Sequence, residues 1–105
     1  MDEEIYYTDG IIKSIDLKDS EAVICSSNSI SDDSERRYNL WLKEDGNVLS
    51  KEAKVIQCNE KISYKDADDE IKYALIQIAL GKQKARFIIK ENNGFELVNL
   101  VIINE

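Results

Sequence analysis

Hydrophobic and polar positions alternate along most of this chain, and one segment changes to a helical period. In residues 5–17, Ile5, Tyr7, Ile11, Ile15 and Leu17 share the odd side while Ser14 and Asp16 take the even side. That period of two predicts one long strand. Gly10 falls inside it, where a glycine permits a bulge or bend. Lys18-Asp19-Ser20 reads as a turn and residues 21–27 as a second strand, with Ala22 and Ile24 opposite Val23 and Cys25, so the two runs form a hairpin. Residues 26–36 have no periodicity and read as a polar loop. A third strand follows over 37–43, with Tyr38, Leu40 and Leu42 on one face and Asn39, Trp41 and Lys43 on the other. Glu44-Asp45-Gly46-Asn47 turns the chain, and residues 53–58 can form a further short strand.

The period then changes. Ala67, Ile71, Ala74, Leu75 and Ile78 recur at steps of three and four, which predicts an amphipathic helix over 66–80. Ser63 or Asp66 is the expected N-cap. Asp68, Asp69 and Glu70 suit the positive end of the helix dipole. Gly81 is the expected left-handed stop, with Lys82 after it. Two strands over 84–91 and 95–103 then flank the hairpin turn Glu91-Asn92-Asn93-Gly94. Ala85, Phe87 and Ile89 point one way, Lys84, Arg86 and Lys90 the other. Leu100-Val101-Ile102-Ile103 is apolar on both faces, so it is covered on both sides or forms an interface, through which a homo-oligomer is expected.

Strand, strand, strand, helix, strand, strand is the element order of the OB-fold. The expected class is therefore mainly β, an OB-fold-like β-barrel with one α-helix between strands 3 and 4, in a single domain of 105 residues. The segment Ala74-Leu75-Ile76-Gln77-Ile78-Ala79-Leu80-Gly81-Lys82, followed by a lysine-rich strand, a glycine turn and an apolar final strand, resembles the C-terminal half of bacterial toxin B-subunit-like proteins. Gly10-Ile11-Ile12 and the Tyr38–Leu42 strand with its tryptophan fit the same pattern. The resemblance implies an OB-fold, secretion, ring assembly and glycan binding.

Composition narrows the chemistry. There is no histidine, which removes Ser/His/Asp triads, Cys/His dyads, HExxH zinc sites and histidine switches. With two cysteines and no histidine, no metal site is expected, nor any cofactor. Asp66–Glu70 imitates a calcium loop, but Ile71 and Gln77 occupy the positions that need glycine and glutamate. No carboxylate sits in an apolar context that would raise its pKa for catalysis, so no enzyme is expected. Cys25 and Cys58 both lie in apolar runs; they are either buried thiols or the two halves of one disulfide.

The net charge is −7, all of it in residues 1–52, which carry 13 acidic and 6 basic side chains. Residues 53–105 carry 8 of each. This disfavours non-specific binding to nucleic acid or anionic membrane and favours either solubility or a basic protein partner. No apolar run approaches membrane-spanning length, so no insertion is expected. Met1-Asp2-Glu3-Glu4 is not a signal peptide. If Met1 is the native start the chain is expected in the cytoplasm, and if it is a mature domain it is expected to be secreted.

The candidate surface combines the third strand, the 26–36 loop and the basic strand face. Trp41, flanked by Tyr38, either packs under the loop or stacks on a sugar, a base or a partner side chain. Arg36, Arg37 and Arg86 can supply charge-assisted hydrogen bonds. Lys84 joins Lys82, Arg86 and Lys90 in a basic stripe, which serves either a ligand or charge balance. The expected function is non-catalytic recognition of a protein or a small ligand such as a glycan. The alternative is an acidic inhibitor that blocks a basic site on another protein.

Overall fold

The computed structural model describes residues 5–27, 37–44, 46–91 and 93–103. It is mainly β, with one helix, α1 (Asp69–Gly81). The strands are β1 (Ile5–Asp16), β2 (Glu21–Ser26), β3 (Arg37–Glu44), β4 (Asn47–Val55), β5 (Lys61–Ser63), β6 (Ala85–Glu91) and β7 (Phe95–Ile102). Five strands follow the expected order and two more join them: β4, which takes in only residues 53–55 of the short strand expected over 53–58, and β5, so α1 falls between the fifth and sixth strands. β4 is a charged return arm whose apolar residues are widely spaced. β5 is only three residues long, too short for alternation to register.

The seven strands form one sheet in the order β2-β5-β7-β6-β1-β4-β3, and an extra β1–β2 pairing bends part of it into a ring. Within the ring, β1 pairs with β2 and β6, β2 with β5, and β6 with β7, all antiparallel. The β5–β7 contact is parallel. The hairpin of β3 and β4 lies outside the ring and joins it through two parallel residue pairs, Tyr6↔Lys54 and Tyr7↔Val55.

The ring interior and the inner face of α1 enclose the main core, which includes Ile12, Ile24, Ile62, Leu75, Ile78, Phe87 and Leu97. Ala85, Phe87 and Ile89 all lie in it, as their alternation predicts. A second, smaller cluster forms on the opposite face of β1 and β6 from Ile5, Tyr7, Ala53, Val55 and Ile88. β1 is therefore buried on both faces near its start, and the expected single odd apolar face does not hold. A register shift between Ile12 and Ser14 accompanies the change of face, and Leu17 ends up exposed.

Gly10 has a different role from the expected bend. It pairs with Ser26, and a Cβ there would collide with the Cys25 carbonyl. The glycine is needed so that β2 can close against β1.

Both ends of α1 also differ from expectation. Its N-cap is Asp68 rather than Ser63 or Asp66, and Asp68 makes no side-chain capping bond. The acidic first turn, Asp69 and Glu70, complements the helix dipole. At the other end Gly81 stays helical and Lys82 takes the left-handed conformation, at φ 52°. Gln83 N–H closes the end by donating to the Ile78 carbonyl at 3.0 Å. The Lys82 ammonium reaches the Ile12 and Lys13 carbonyls at 3.4 Å each, contacts that a glycine there would lack.

Candidate functional site

The outer face of β2 and β5 carries a crevice. Strand alternation sends Ala22, Ile24 and Ile62 inward and leaves Glu21, Val23, Cys25, Lys61 and Ser63 on the outside. Register brings Glu21 opposite Ser63 and Val23 opposite Lys61. Two open recesses adjoin here and share Glu21 and Lys61. One, of about 210 Å³, runs toward Ile15, Asp16 and Asp19. The other, of about 300 Å³, runs toward Asn93, Gly94, Phe95 and Glu96.

The rims of this crevice are two turns. In the β1–β2 turn, Asp16 Oδ1 accepts the N–H groups of Lys18 and Asp19 at 2.9 and 3.0 Å. Such side-chain-to-backbone bonds fix a turn locally. Tyr64 ties the same turn to the body: its hydroxyl donates to the Asp16 carbonyl at 3.1 Å and its N–H to the Ser20 carbonyl at 2.8 Å. Burial pushes the Tyr64 phenol up, and the nearby Asp16 charge adds to the shift. The other rim is the β6–β7 turn, where Asn93 and Gly94 adopt φ 54° and 130°. These left-handed values suit the asparagine and glycine the sequence supplies.

Electrostatically the crevice is acidic. Asp16, Asp19, Glu21 and Glu96 line it, against Lys61. Lys61 and Glu21 stand 3.7 Å apart and Lys90 and Glu96 3.6 Å apart. Pairs this long contribute little and are screened by salt.

The residues singled out from sequence are dispersed. Arg37, Tyr38 and Trp41 lie on β3, opposite Lys54, Ala53 and Ser50. Arg36 and the 28–36 part of the polar loop lie outside the described residues. Arg86 is held within the molecule: it donates from Nε and Nη2 to the two carboxylate oxygens of Asp9 at 2.7 and 2.9 Å. Its guanidinium lies 4.7 Å from the centre of the Tyr7 ring. That bidentate, stacked arrangement ties β6 to β1. Lys84 is half-buried just before β6, and its carbonyl accepts from Ile103 N–H at 3.1 Å. Lys90 faces Glu96, so the basic stripe is divided among acidic neighbours. Leu100 packs against the core, whereas Val101 and Ile102 are exposed.

Both thiols are free, which corrects the disulfide alternative. Cys25 faces outward and Cys58 belongs to the core, so the β2 wall separates them. Burial pushes the Cys58 thiol up, partly offset by a hydrogen bond with the Glu60 backbone. Among the described residues, no three acidic or cysteine side chains converge as metal ligands. None of the described helices is long and apolar enough to cross a membrane.

The crevice residues Asp16, Asp19, Glu21, Lys61, Ser63 and Glu96 escaped sequence reasoning. The available signal was the pair of turns, both legible, but what brings them to one face is the β2–β5–β7 pairing through the three-residue β5.

Compared with known proteins, the chain matches no family model, no curated protein and no solved structure, so residues and geometry carry the functional reading.

Proposed function

We propose that this chain is a non-catalytic binding module on an OB-type barrel, and that its ligand is a basic segment of a partner protein held across the β2–β5 face. The strand ring supports the barrel assignment: five strands close through β1, β2, β5, β7 and β6, and the helix precedes the last hairpin. Counting ring strands alone, β2 and β5 are the second and third. The turns beside them link the first to the second and the fourth to the fifth. OB-folds bind ligands on that face and with those loops.

The observation that carries the ligand class is the lining, four carboxylates against one lysine. It repels phosphates and attracts ammonium and guanidinium groups. Ile15, Val23 and Phe95 add half-buried apolar surface for the stems of such side chains.

Cys25 provides the reporter, because it is exposed on β2 beyond Val23. The full chain, labelled with a fluorophore at Cys25, is titrated with a lysine-rich peptide and with oligothymidylate. A saturable response to the peptide is expected. It weakens with salt and is lost in Glu21→Lys and Asp19→Lys, and oligothymidylate gives none. A flat peptide titration, or a response that survives both charge reversals, overturns the reading. The inhibitor alternative rests on the same acidic lining but requires a folded basic surface. A response to a folded basic protein, with none to the peptide, selects it.

A further inference from the structure

Asn93-Gly94 is the one place in the sequence where glycine follows asparagine. The pair lies in the β6–β7 turn at φ 54° and 130°, and both residues are exposed. Both also line the recess of about 300 Å³, together with Glu21, Lys61, Phe95 and Glu96. A glycine after an asparagine leaves the carboxamide open to attack by the next backbone nitrogen, because no Cβ shields that nitrogen. Space is open there: a Cβ built on Gly94 would meet nothing within 4 Å. Asn47, Asn59 and Asn99 differ. They are followed by valine, glutamate and leucine, whose side chains hinder the attacking nitrogen. Asn59 Oδ1 also accepts the Ser26 N–H at 2.9 Å, and Asn99 Oδ1 the Leu100 N–H at 2.8 Å. Asp9-Gly10 has the analogous glycine, but Arg86 binds both Asp9 carboxylate oxygens and Gly10 lies in two strand ladders.

The step needs water as its only co-reactant. The Gly94 nitrogen forms a bond to Asn93 Cγ, the bond from Cγ to Nδ2 breaks, and ammonia leaves with the Gly94 amide proton. Water then opens the resulting succinimide. Addition at Cγ gives an aspartate in an unaltered backbone. Addition at the backbone carbonyl carbon gives an isoaspartate, whose chain runs through the former side chain. Overall an amide and a water become a carboxylate and an ammonium ion, and nothing is oxidised or reduced. One negative charge is added to the net −7. It falls on a rim where Glu21 and Glu96 already stand against Lys61.

We propose that Asn93 is a site of spontaneous deamidation, and that the carboxylate it forms strengthens the hold of the β2–β5 face on a basic segment; the second part rests on the basic-ligand reading of that face. The full chain, aged in warm neutral buffer and mapped by tandem mass spectrometry, is expected to convert at Asn93 ahead of Asn47, Asn59 and Asn99. The product carries the mass gain of one amide-to-acid exchange, and its isoaspartate fraction is labelled by an isoaspartate methyltransferase. Asn93→Gln, whose longer side chain closes the ring poorly, is expected to abolish that labelling. Conversion that spares Asn93, or that occurs there only in urea, overturns the first part. Asn93→Asp supplies the product directly, since aspartate tolerates the same left-handed backbone. At low salt it should bind the lysine-rich peptide roughly twofold to fivefold more tightly than the wild type, the effect of one exposed ion pair. Unchanged or weaker binding by Asn93→Asp overturns the second part. A wild-type chain that binds no peptide overturns the reading of the face and the second part with it, while the mass spectrum, which needs no ligand, still decides the deamidation.

Discussion

The strand ring and the β3–β4 hairpin draw on the same alternating pattern, yet they are held in different ways. In the ring, β1 is paired along both edges and buried on both faces near its start, and its neighbours enclose Phe87, Ile62 and Leu75 completely. In the hairpin, Ala53 and Val55 of β4, at its base, enter a core, while Val48 near its tip is exposed. Alternation states that a segment is a strand with two unlike faces. It does not state whether the second edge finds a partner. Closure supplies that in the ring, and the stability of the molecule is concentrated there.

Several substitutions would break or sharpen this contrast. Phe87→Ala removes the largest fully buried side chain of the ring and should cost about 3–5 kcal/mol, read as a lower urea midpoint for the whole chain. Gly10→Ala should cost about 1–3 kcal/mol or more, because the added methyl forces β2 away from β1. Hydrogen exchange should then show the β1–β2 amides losing protection before those of β6–β7.

A pH series tests the main core differently. The folded state raises the ionisations of Cys58 and Tyr64, so it holds their protons more tightly than the unfolded chain does. Stability from both groups is complete below their ordinary ionisations. It is lost as pH rises above about 8.5 for the thiol and about 10 for the phenol. The urea midpoint should fall across that alkaline window, and Cys58→Ala should flatten the first part of the fall. Thiol reagents should modify Cys25 in the native chain and reach Cys58 only on unfolding. The smallest effect is expected at the hairpin tip, where Val48→Lys should change stability by no more than about 0.5 kcal/mol.

Much of this fold was legible in residue order. The β1–β2 and β6–β7 hairpins, the helix with its acidic first turn and the inward set Ala85, Phe87 and Ile89 all follow from local periodicity and turn chemistry. What escaped was non-local. β5 is defined by what lies on either side of it, since three residues have no period of their own. Arg86 reads as a free cation until β1 is placed beside β6 and Asp9 meets it. Lys82, rather than Gly81, turns left-handed, and its ammonium reaches the β1 backbone across the fold. The candidate site shares this property: each rim is a readable turn, but the crevice exists only where β2, β5 and β7 converge.

The pairing of β1 with β6 also bears on how the molecule comes into being. Ile5 lies beside Lys90 and Gly10 beside Ala85, so β1 waits for a partner strand far later in the chain. Until then its backbone edge toward β6 is unpaired, and only the local β1–β2 and β3–β4 hairpins can form. Contacts of such long sequence separation fold slowly. For this small chain, the hazardous interval is the one between synthesis of β2 and arrival of β6, when a chaperone would have most to protect.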